Sequence, residues 1–185
     1  MTTAETEVLM PGKASVLEVN SENKWPSMAE EMKHSLAVSK RHSVTVLMAD
    51  DDLDDCLLVR EAWDELKTDH RLRFVHDGQE VLDYLYHQGQ HQDHQASPSP
   101  ALILLDLNMP KKNGREVLNV LKYDPQLRTI PIIVFTTTKN MEHIIQTYKD
   151  GANAYMSKPT SYEGYVHALK AIEFFWLTLA KLPMF

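Results

Sequence analysis

The chain has 185 residues, 43% of them hydrophobic, and its 26 acidic and 19 basic residues give a formal net charge of −7. This length suits one domain with an extension, and the acidic balance argues against a nucleic-acid partner. A single cysteine excludes an internal disulfide, and no apolar run approaches the ~20 residues of a membrane span, so we predict a cytoplasmic protein that does not contact a membrane.

Residues 1–42 are mixed in charge, contain Trp25 as their one aromatic residue and show no sustained helical or strand period. This composition is typical of a flexible extension, although a short helix over residues 27–38 also fits the spacing of its apolar residues. An overlong reading of the start of the coding region would explain the segment equally well. We predict a flexible extension over residues 1–42 and one folded domain over residues 43–185.

The first predicted strand, residues 44–48, is a β-branched apolar run that leads directly to three aspartates, residues 50–52. Asp52 or Asp54 can cap the helix that follows, and the Asp54-Asp55 pair suits the positive end of its dipole. The apolar residues of this helix share one face: Cys56, Val59, Ala62, Trp63 and Leu66.

A second strand, residues 72–75, and a second helix, residues 79–87, precede a polar loop over residues 89–100. Three histidines lie three or four residues apart around this loop: His87, His91 and His94. The spacing could bind a transition metal, but the segment has no visible scaffold. We therefore predict a loop rather than a dedicated metal site.

Residues 101–105 form the central predicted strand, because five apolar residues after Ser-Pro-Ser-Pro are too few for an ordinary helix. Asp106 follows at once, and a carboxylate at the end of a buried strand needs hydrogen bonds, a ligand or exposure at the rim. Pro110 and the Asn113-Gly114 pair predict a tight loop that leaves Asp106 at that rim. This stretch alone leaves open whether Asp106 is only a capping residue.

The rest of the chain adds two more strands and three more helices. These are a helix over 115–123, a strand over 130–135, a helix over 141–149, a strand over 154–157 and a helix over 161–179. Strands and helices alternate five times, which predicts an α/β fold with a doubly wound, five-stranded parallel sheet of order 2-1-3-4-5. The first and third strands are then neighbours, and their carboxyl ends bring Asp50, Asp51 and Asp106 together.

The groups at this rim suit two ligands. The carboxylates of Asp50, Asp51 and Asp106, with a carbonyl of Asn108 within reach, are the oxygen donors that Mg²⁺ or Mn²⁺ prefers. The fourth and fifth strands end near Thr136 and Lys158, which add a hydroxyl and an ammonium. A hydroxyl, a cation and a metal around a nucleophilic carboxylate make a receptor for a phosphoryl group.

With these residues in place, the chain from residue 43 to residue 179 resembles the receiver domain of two-component response regulators, the CheY-like, flavodoxin-like fold. The matching motifs are Asp50-Asp51, the stretch LLDLNMP at residues 104–110, Thr136, Tyr155 and Lys158-Pro159. The resemblance implies a phospho-acceptor protein of two-component signal transduction that is not an enzyme in the ordinary sense.

The resemblance also implies a role for each matching residue. Asp106 would accept the phosphoryl group from a histidine kinase, and Lys158 and Thr136 would contact that group. The metal, Mg²⁺ or Mn²⁺, would be bound by Asp51 and Asp106 through carboxylates, by Asn108 through its backbone carbonyl and by Asp50 through water. Thr136 and Tyr155 would be the switch pair, and the Lys158-Pro159 peptide bond would be cis.

A narrower resemblance concerns the partner. The residues from Asp106 to Leu118, Thr136 with the two threonines after it, and the aromatic end of the last helix are similar to single-domain response regulators of phytochrome-type photoreceptor kinases. A sensor histidine kinase, phytochrome-type by this resemblance, is therefore the predicted partner. The third aspartate of residues 50–52 departs from the family's commoner pair, and register against the first strand favours Asp50 over Asp52 as the outer ligand.

The last predicted helix is apolar on several sides, which one sheet face cannot cover. We therefore predict a symmetric homodimer through this helix. The interface residues would be Tyr165, Leu169, Ile172, Phe175 and Trp176. Packing of residues 1–42 over the helix is the alternative.

Three other functions compete with a phospho-accepting receiver. A haloacid-dehalogenase-type phosphatase needs an aspartate where this chain has Asn108, and a flavin carrier needs a phosphate loop where it has three carboxylates. A pseudo-receiver that binds partners without phosphorylation remains the main alternative. It is disfavoured because Asp51, Asp106, Thr136 and Lys158 are all present.

Overall fold

The structure is a computed structural model that describes residues 43–183. The predicted extension over residues 1–42, the possible helix over 27–38 and the last two residues lie outside this range. The domain boundary at residue 43 therefore stays a prediction.

Five parallel strands form one sheet. They are β1 (Thr45–Ala49), β2 (Arg71–Val75), β3 (Leu102–Leu105), β4 (Ile132–Thr136) and β5 (Ala154–Ser157). Their order, β2-β1-β3-β4-β5, confirms the predicted fold class and topology. The register pairs Ala49 of β1 with Leu105 of β3, so the residues that follow, Asp50 and Asp106, leave the sheet side by side.

Five α-helices connect and cover the strands. They are α1 (Leu53–Glu65), α2 (Gly78–Leu85), α3 (Gly114–Tyr123), α4 (Met141–Lys149) and α5 (Tyr162–Ile172). Asp52 caps α1 by accepting hydrogen bonds from the backbone of Asp54 and Asp55, and Asn113 and Glu116 form a capping box on α3. These caps fix the helix starts beside the carboxyl ends of the strands.

The sheet separates two cores. One face packs against α1 and α5 around Met48, Leu104 and Phe135, and the other packs against α2 and α3 around Leu47 and Leu105. All four residues of β3 are buried, as expected for a central strand covered on both faces.

Most predicted boundaries differ from the structure by one or two residues, and two of the differences have a clear physical reason. The fourth strand begins at Ile132 instead of residue 130, because Pro131 has no N–H to donate to the ladder. The last helix is α-helical only to Ile172 and continues as a π-helix, Glu173–Leu179. The wider π turn places Leu177 on the core side, five residues after the buried Ile172.

Between residues 43 and 183, none of the helices has the length and apolar character needed to cross a membrane.

Candidate functional site

Three aspartates converge at the carboxyl end of the sheet, where the sequence predicts them. One carboxylate oxygen from each of Asp50, Asp51 and Asp106 lies within 4.8 Å of the others. Asp50 and Asp106 are buried and Asp51 is exposed. The three donors therefore face a common point that opens to solvent on the side of Asp51.

The backbone holds Asp106 in one orientation. Its N–H donates to the carbonyl of Ala49 at 2.9 Å, and its Oδ1 accepts from the N–H of Leu107 at 2.6 Å and of Asn108 at 3.3 Å. The loop over residues 107–113 brings the chain back next to Asp106. A Cβ atom on Gly114 would lie 2.0 Å from the carbonyl oxygen of Asp106. This close approach explains why glycine begins α3.

Lys158 brings one positive charge to the pocket. Its N–H donates to the Thr136 carbonyl at 2.8 Å, which fixes the chain after β5. Its Nζ lies 3.0 Å from Oδ2 of Asp106 and 2.7 Å from Oδ2 of Asp50. The ammonium is therefore in direct contact with the predicted phospho-acceptor.

Burial and charge shift the acidity of these groups. Burial raises the pKa of Asp50 to about 6; the hydrogen bond and charge of Lys158 oppose this rise, and the charge of Asp106 adds to it. Burial alone would lower the pKa of Lys158, but the carboxylates of Asp50 and Asp55 outweigh it and raise that pKa. The ammonium is thus charged, whereas Asp50 takes up a proton more readily than an ordinary aspartate.

The predicted switch residues lie on β4 and β5. Thr136 is fully buried, and its Oγ1 has no hydrogen-bond partner among residues 43–183. The hydroxyl of Tyr155 donates to the carbonyl of Thr138 at 2.6 Å, and burial, helped by the charge of Asp106, raises its pKa. A buried hydroxyl without a partner is costly, and the role predicted for Thr136 as a donor to the phosphoryl group stays a prediction.

The donor set fits a hard divalent cation. Three carboxylates within 4.8 Å repel one another unless a cation lies between them, and all three offer oxygen, which Mg²⁺ and Mn²⁺ prefer. Asp52 is engaged as the cap of α1, which supports Asp50 as the outer ligand. The backbone N–H of Asn108 contacts Asp106, and the predicted role of its carbonyl stays a prediction.

Asp55 is a residue of this site that the sequence interpretation missed. Its Oδ2 accepts from Nζ of Lys158 at 2.7 Å and its Oδ1 accepts from the hydroxyl of Tyr165 at 2.7 Å. From sequence, the Asp54-Asp55 pair is explained by the positive end of the helix dipole alone. One feature of the sequence could have identified Asp55 as a site residue. It lies in the first turn of a helix that begins at the rim of the pocket.

Two expectations need correction. Tyr165, Leu169 and Ile172 are only 2%, 0% and 2% exposed, because they pack on the sheet beside α1 within the chain itself, so they cannot line a dimer interface. Of that set, Phe175 is exposed and Trp176 is half-buried. The Lys158-Pro159 bond is trans, like every peptide bond in residues 43–183; trans is the form that an X-Pro bond ordinarily favours.

Comparison with known proteins agrees with this geometry. The family model of the response regulator receiver domain matches residues 46–170. The response regulator Rcp1 of Synechocystis sp. is 38% identical over 138 residues, which are 75% of this chain and 92% of that relative.

Solved structures are similar over the same region. The phosphorylated cyanobacterial phytochrome response regulator RcpA superposes with a TM-score of 0.72 at 36% identity, covering 77% of this chain and 100% of that one. The Mn²⁺-bound form of Rcp1 superposes with a TM-score of 0.69 at 38% identity, covering 76% of this chain and 99% of that one.

Proposed function

The chain belongs to the response regulator receiver family, and on that premise we propose that Asp106 accepts a phosphoryl group from a sensor histidine kinase. The observation that carries the proposal is the contact of 3.0 Å between Nζ of Lys158 and Oδ2 of Asp106, beside two further aspartates. A cation next to the acceptor neutralises the charge that the transferred group brings with it.

The chemistry is a displacement at phosphorus. A carboxylate oxygen of Asp106 forms a bond to phosphorus, the bond from phosphorus to the donor's nitrogen or oxygen breaks, and its electron pair leaves with the donor. Lys158 binds an oxygen of the transferred group, and Thr136 donates its free hydroxyl to another. A cleft of ≈ 240 Å³ beside the acceptor loop is lined in part by Asn108 and Thr138.

Asp50, Asp51 and Asp106 would hold Mg²⁺ or Mn²⁺, with the carbonyl of Asn108 as a further ligand. When bound, the ion supplies positive charge that screens the carboxylates from one another and from the incoming phosphoryl oxygens. The Mn²⁺-bound structure of the related Rcp1 supports this assignment. The exposed Asp51 gives the ion a path from solvent.

Thr136 and Tyr155 would carry the change outward. When the Thr136 hydroxyl moves toward a phosphoryl oxygen, the space behind it admits the ring of Tyr155, which is half-buried. The hydrogen bond from Tyr155 to the Thr138 carbonyl would break in that movement. The loop between β4 and α4 would then change its shape.

A phytochrome-type photoreceptor kinase is the partner that we propose, because RcpA is named a phytochrome response regulator. Such a kinase would act on this chain in the cytoplasm. Phosphotransfer profiling against the sensor kinases of the host tests the assignment. Fast transfer from a kinase without a photoreceptor domain, in preference to phytochrome-type kinases, would contradict it.

We also propose that the phosphorylated chain signals by protein contact or as a homodimer. The contact surface would be the π-helix end of the last helix, where Phe175 is exposed and packs edge to face on Trp176 with ring centroids 5.2 Å apart. Sedimentation of the wild type and of Phe175→Ala tests this surface. An unchanged dimer in the variant would contradict it.

Intact mass after incubation with acetyl phosphate and Mg²⁺ tests the phospho-acceptor. We expect a gain of one phosphoryl group in the wild type and none in Asp106→Asn. No gain in either protein would favour the alternative, a pseudo-receiver that binds partners without phosphorylation. A gain in both would place the acceptor elsewhere.

A further inference from the structure

Asp55 connects the phosphoryl pocket with α5. It lies in the first turn of α1, and its two carboxylate oxygens have different partners. Oδ2 accepts from Nζ of Lys158 at 2.7 Å, and Oδ1 accepts from the hydroxyl of Tyr165 at 2.7 Å. One carboxylate thus joins residues that lie 103 and 110 positions further along the chain.

The Tyr165 end of this connection is firmly held. Tyr165 is 2% exposed, and its ring packs edge to face on Phe135 of β4 with centroids 6.0 Å apart. Tyr165 is therefore fixed by its ring against β4 and by its hydroxyl against Asp55. Burial alone would raise the pKa of Asp55, but the hydrogen bonds from Lys158 and Tyr165 outweigh it and lower that pKa.

We propose that Asp55 is a positioning residue that holds the Lys158 ammonium beside Asp106, and that its hydrogen bond with Tyr165 couples the state of the pocket to α5. This inference rests on the proposed phospho-acceptor function and extends it. The coupling is separate from the Thr136 and Tyr155 pair, because it runs through α1 and α5 instead of through β4 and β5.

The three carboxylate contacts of Lys158 explain why the connection responds to phosphorylation. An ammonium has three N–H donors, and here it faces three carboxylates, those of Asp50, Asp55 and Asp106, at 2.7, 2.7 and 3.0 Å. A phosphoryl group on Asp106 adds acceptor oxygens next to Nζ. The three N–H groups of Lys158 must then be divided among the phosphoryl oxygens and the carboxylates of Asp50 and Asp55. Any change at Oδ2 of Asp55 alters the carboxylate that Tyr165 binds through Oδ1.

The change would reach a surface by a short path. Tyr165 lies in the first turn of α5, and Leu169 and Ile172 continue its buried face toward the π-helix. The exposed Phe175 follows within one turn of Ile172. A small rotation at Tyr165 is therefore transmitted along a rigid helix to the surface proposed for contact.

Phosphorylation rates of Asp55→Asn test the positioning role, with Asp54→Asn as the matched control. Asp54 is an exposed neighbour in the same turn, so both variants remove the same charge from the start of α1. With acetyl phosphate and Mg²⁺, we expect the rate at saturating donor to fall about tenfold in Asp55→Asn. The half-saturating concentration of acetyl phosphate should stay equal or fall. Asp55→Asn removes one negative charge beside Lys158, so the anionic donor is repelled less.

The outcomes separate this inference from the proposed function. If the wild type gains no phosphate, the proposed function fails and this inference fails with it. If the wild type gains phosphate and Asp55→Asn reacts at the same rate, this inference alone is overturned. An equal loss in Asp54→Asn would also overturn it, because the effect would then belong to the charge of the helix start.

Amide NMR of Tyr165→Phe tests the coupling, with Tyr162→Phe as the control on the same helix. Tyr162 donates to Glu65 at 3.1 Å at the surface, so each variant loses one hydroxyl and one hydrogen bond. On addition of Mg²⁺ and beryllofluoride, a phosphoryl mimic, we expect the shifts at Leu169 and Ile172 to fall to half or less in Tyr165→Phe. Shifts at Leu105 should stay as in the wild type, and wild-type shifts along α5 in Tyr165→Phe would overturn the coupling.

Discussion

Replacing Asp50 by asparagine removes a buried carboxylate that is costly to ionise when no metal is bound. Asp50 is fully buried, and its pKa is about 6 in the folded chain against an ordinary value of 3.8. Ionising it at pH 7 therefore costs about 3 kcal/mol of folding free energy. That pKa already includes the ion pair of 2.7 Å with Lys158, and the buried amide of asparagine needs hydrogen-bond partners of its own, so we expect a net gain in stability of about 2 kcal/mol.

The sign of the pH dependence follows from the raised pKa. An acid with a higher pKa in the folded chain binds protons more tightly there, so its penalty is present above about pH 6 and absent below about pH 4. The stability advantage of Asp50→Asn should therefore be full at pH 7.5 and vanish at pH 4. Magnesium should reverse the order at pH 7.5, because it stabilises the wild type by mass action and the variant much less.

Urea unfolding in EDTA and in MgCl₂, at both pH values, measures these differences. Asp51→Asn is the matched control: Asp51 is exposed, so its loss should weaken magnesium binding but change metal-free stability by only about 0.5 kcal/mol or less. An Asp50→Asn protein no more stable than the wild type in EDTA at pH 7.5 would refute the reasoning. So would an advantage of equal size at pH 4.

Two further predictions concern the walls of the pocket. Gly114→Ala should lower the free energy of unfolding, measured in urea, by at least about 2 kcal/mol, because the new Cβ would lie 2.0 Å from the carbonyl oxygen of Asp106. A loss below about 0.5 kcal/mol would contradict this. Thr136→Val keeps the shape of the side chain and removes a buried hydroxyl that has no hydrogen-bond partner in residues 43–183. We expect the free energy of unfolding in EDTA to rise by about 1 kcal/mol and phosphorylation by acetyl phosphate to become slower. A less stable variant would show that the hydroxyl has a hydrogen-bond partner in the folded protein.

The sequence predicts most of the scaffold because its signals are local. The apolar run of β3 and the helical spacing of α1 each lie within a dozen residues, and alternation of such units leaves few parallel topologies. An aspartate after a buried strand at a sheet switch point is also visible in the sequence. The sequence therefore indicates Asp106 and its neighbours as candidate site residues.

Contacts between distant parts of the chain could not be predicted in this way. Asp55 has the local features of an ordinary first-turn helix residue, and only the packing of α1 on α5 shows that it binds Lys158 and Tyr165. The many apolar residues of the last helix predict a partner protein that covers them. In the structure, the sheet and α1 of the same chain bury Tyr165 and Leu169.

The amino-acid sequence by itself therefore determined the order of the elements and the residue types at the pocket. The hydrophobic periodicity of a helix or strand and the position where a strand ends both depend on residues that are close together in the sequence. Tertiary structure alone decided which carboxylates share the Lys158 ammonium and which aromatic rings remain exposed. Those outcomes depend on side chains 52 to 110 positions apart meeting at contact distance.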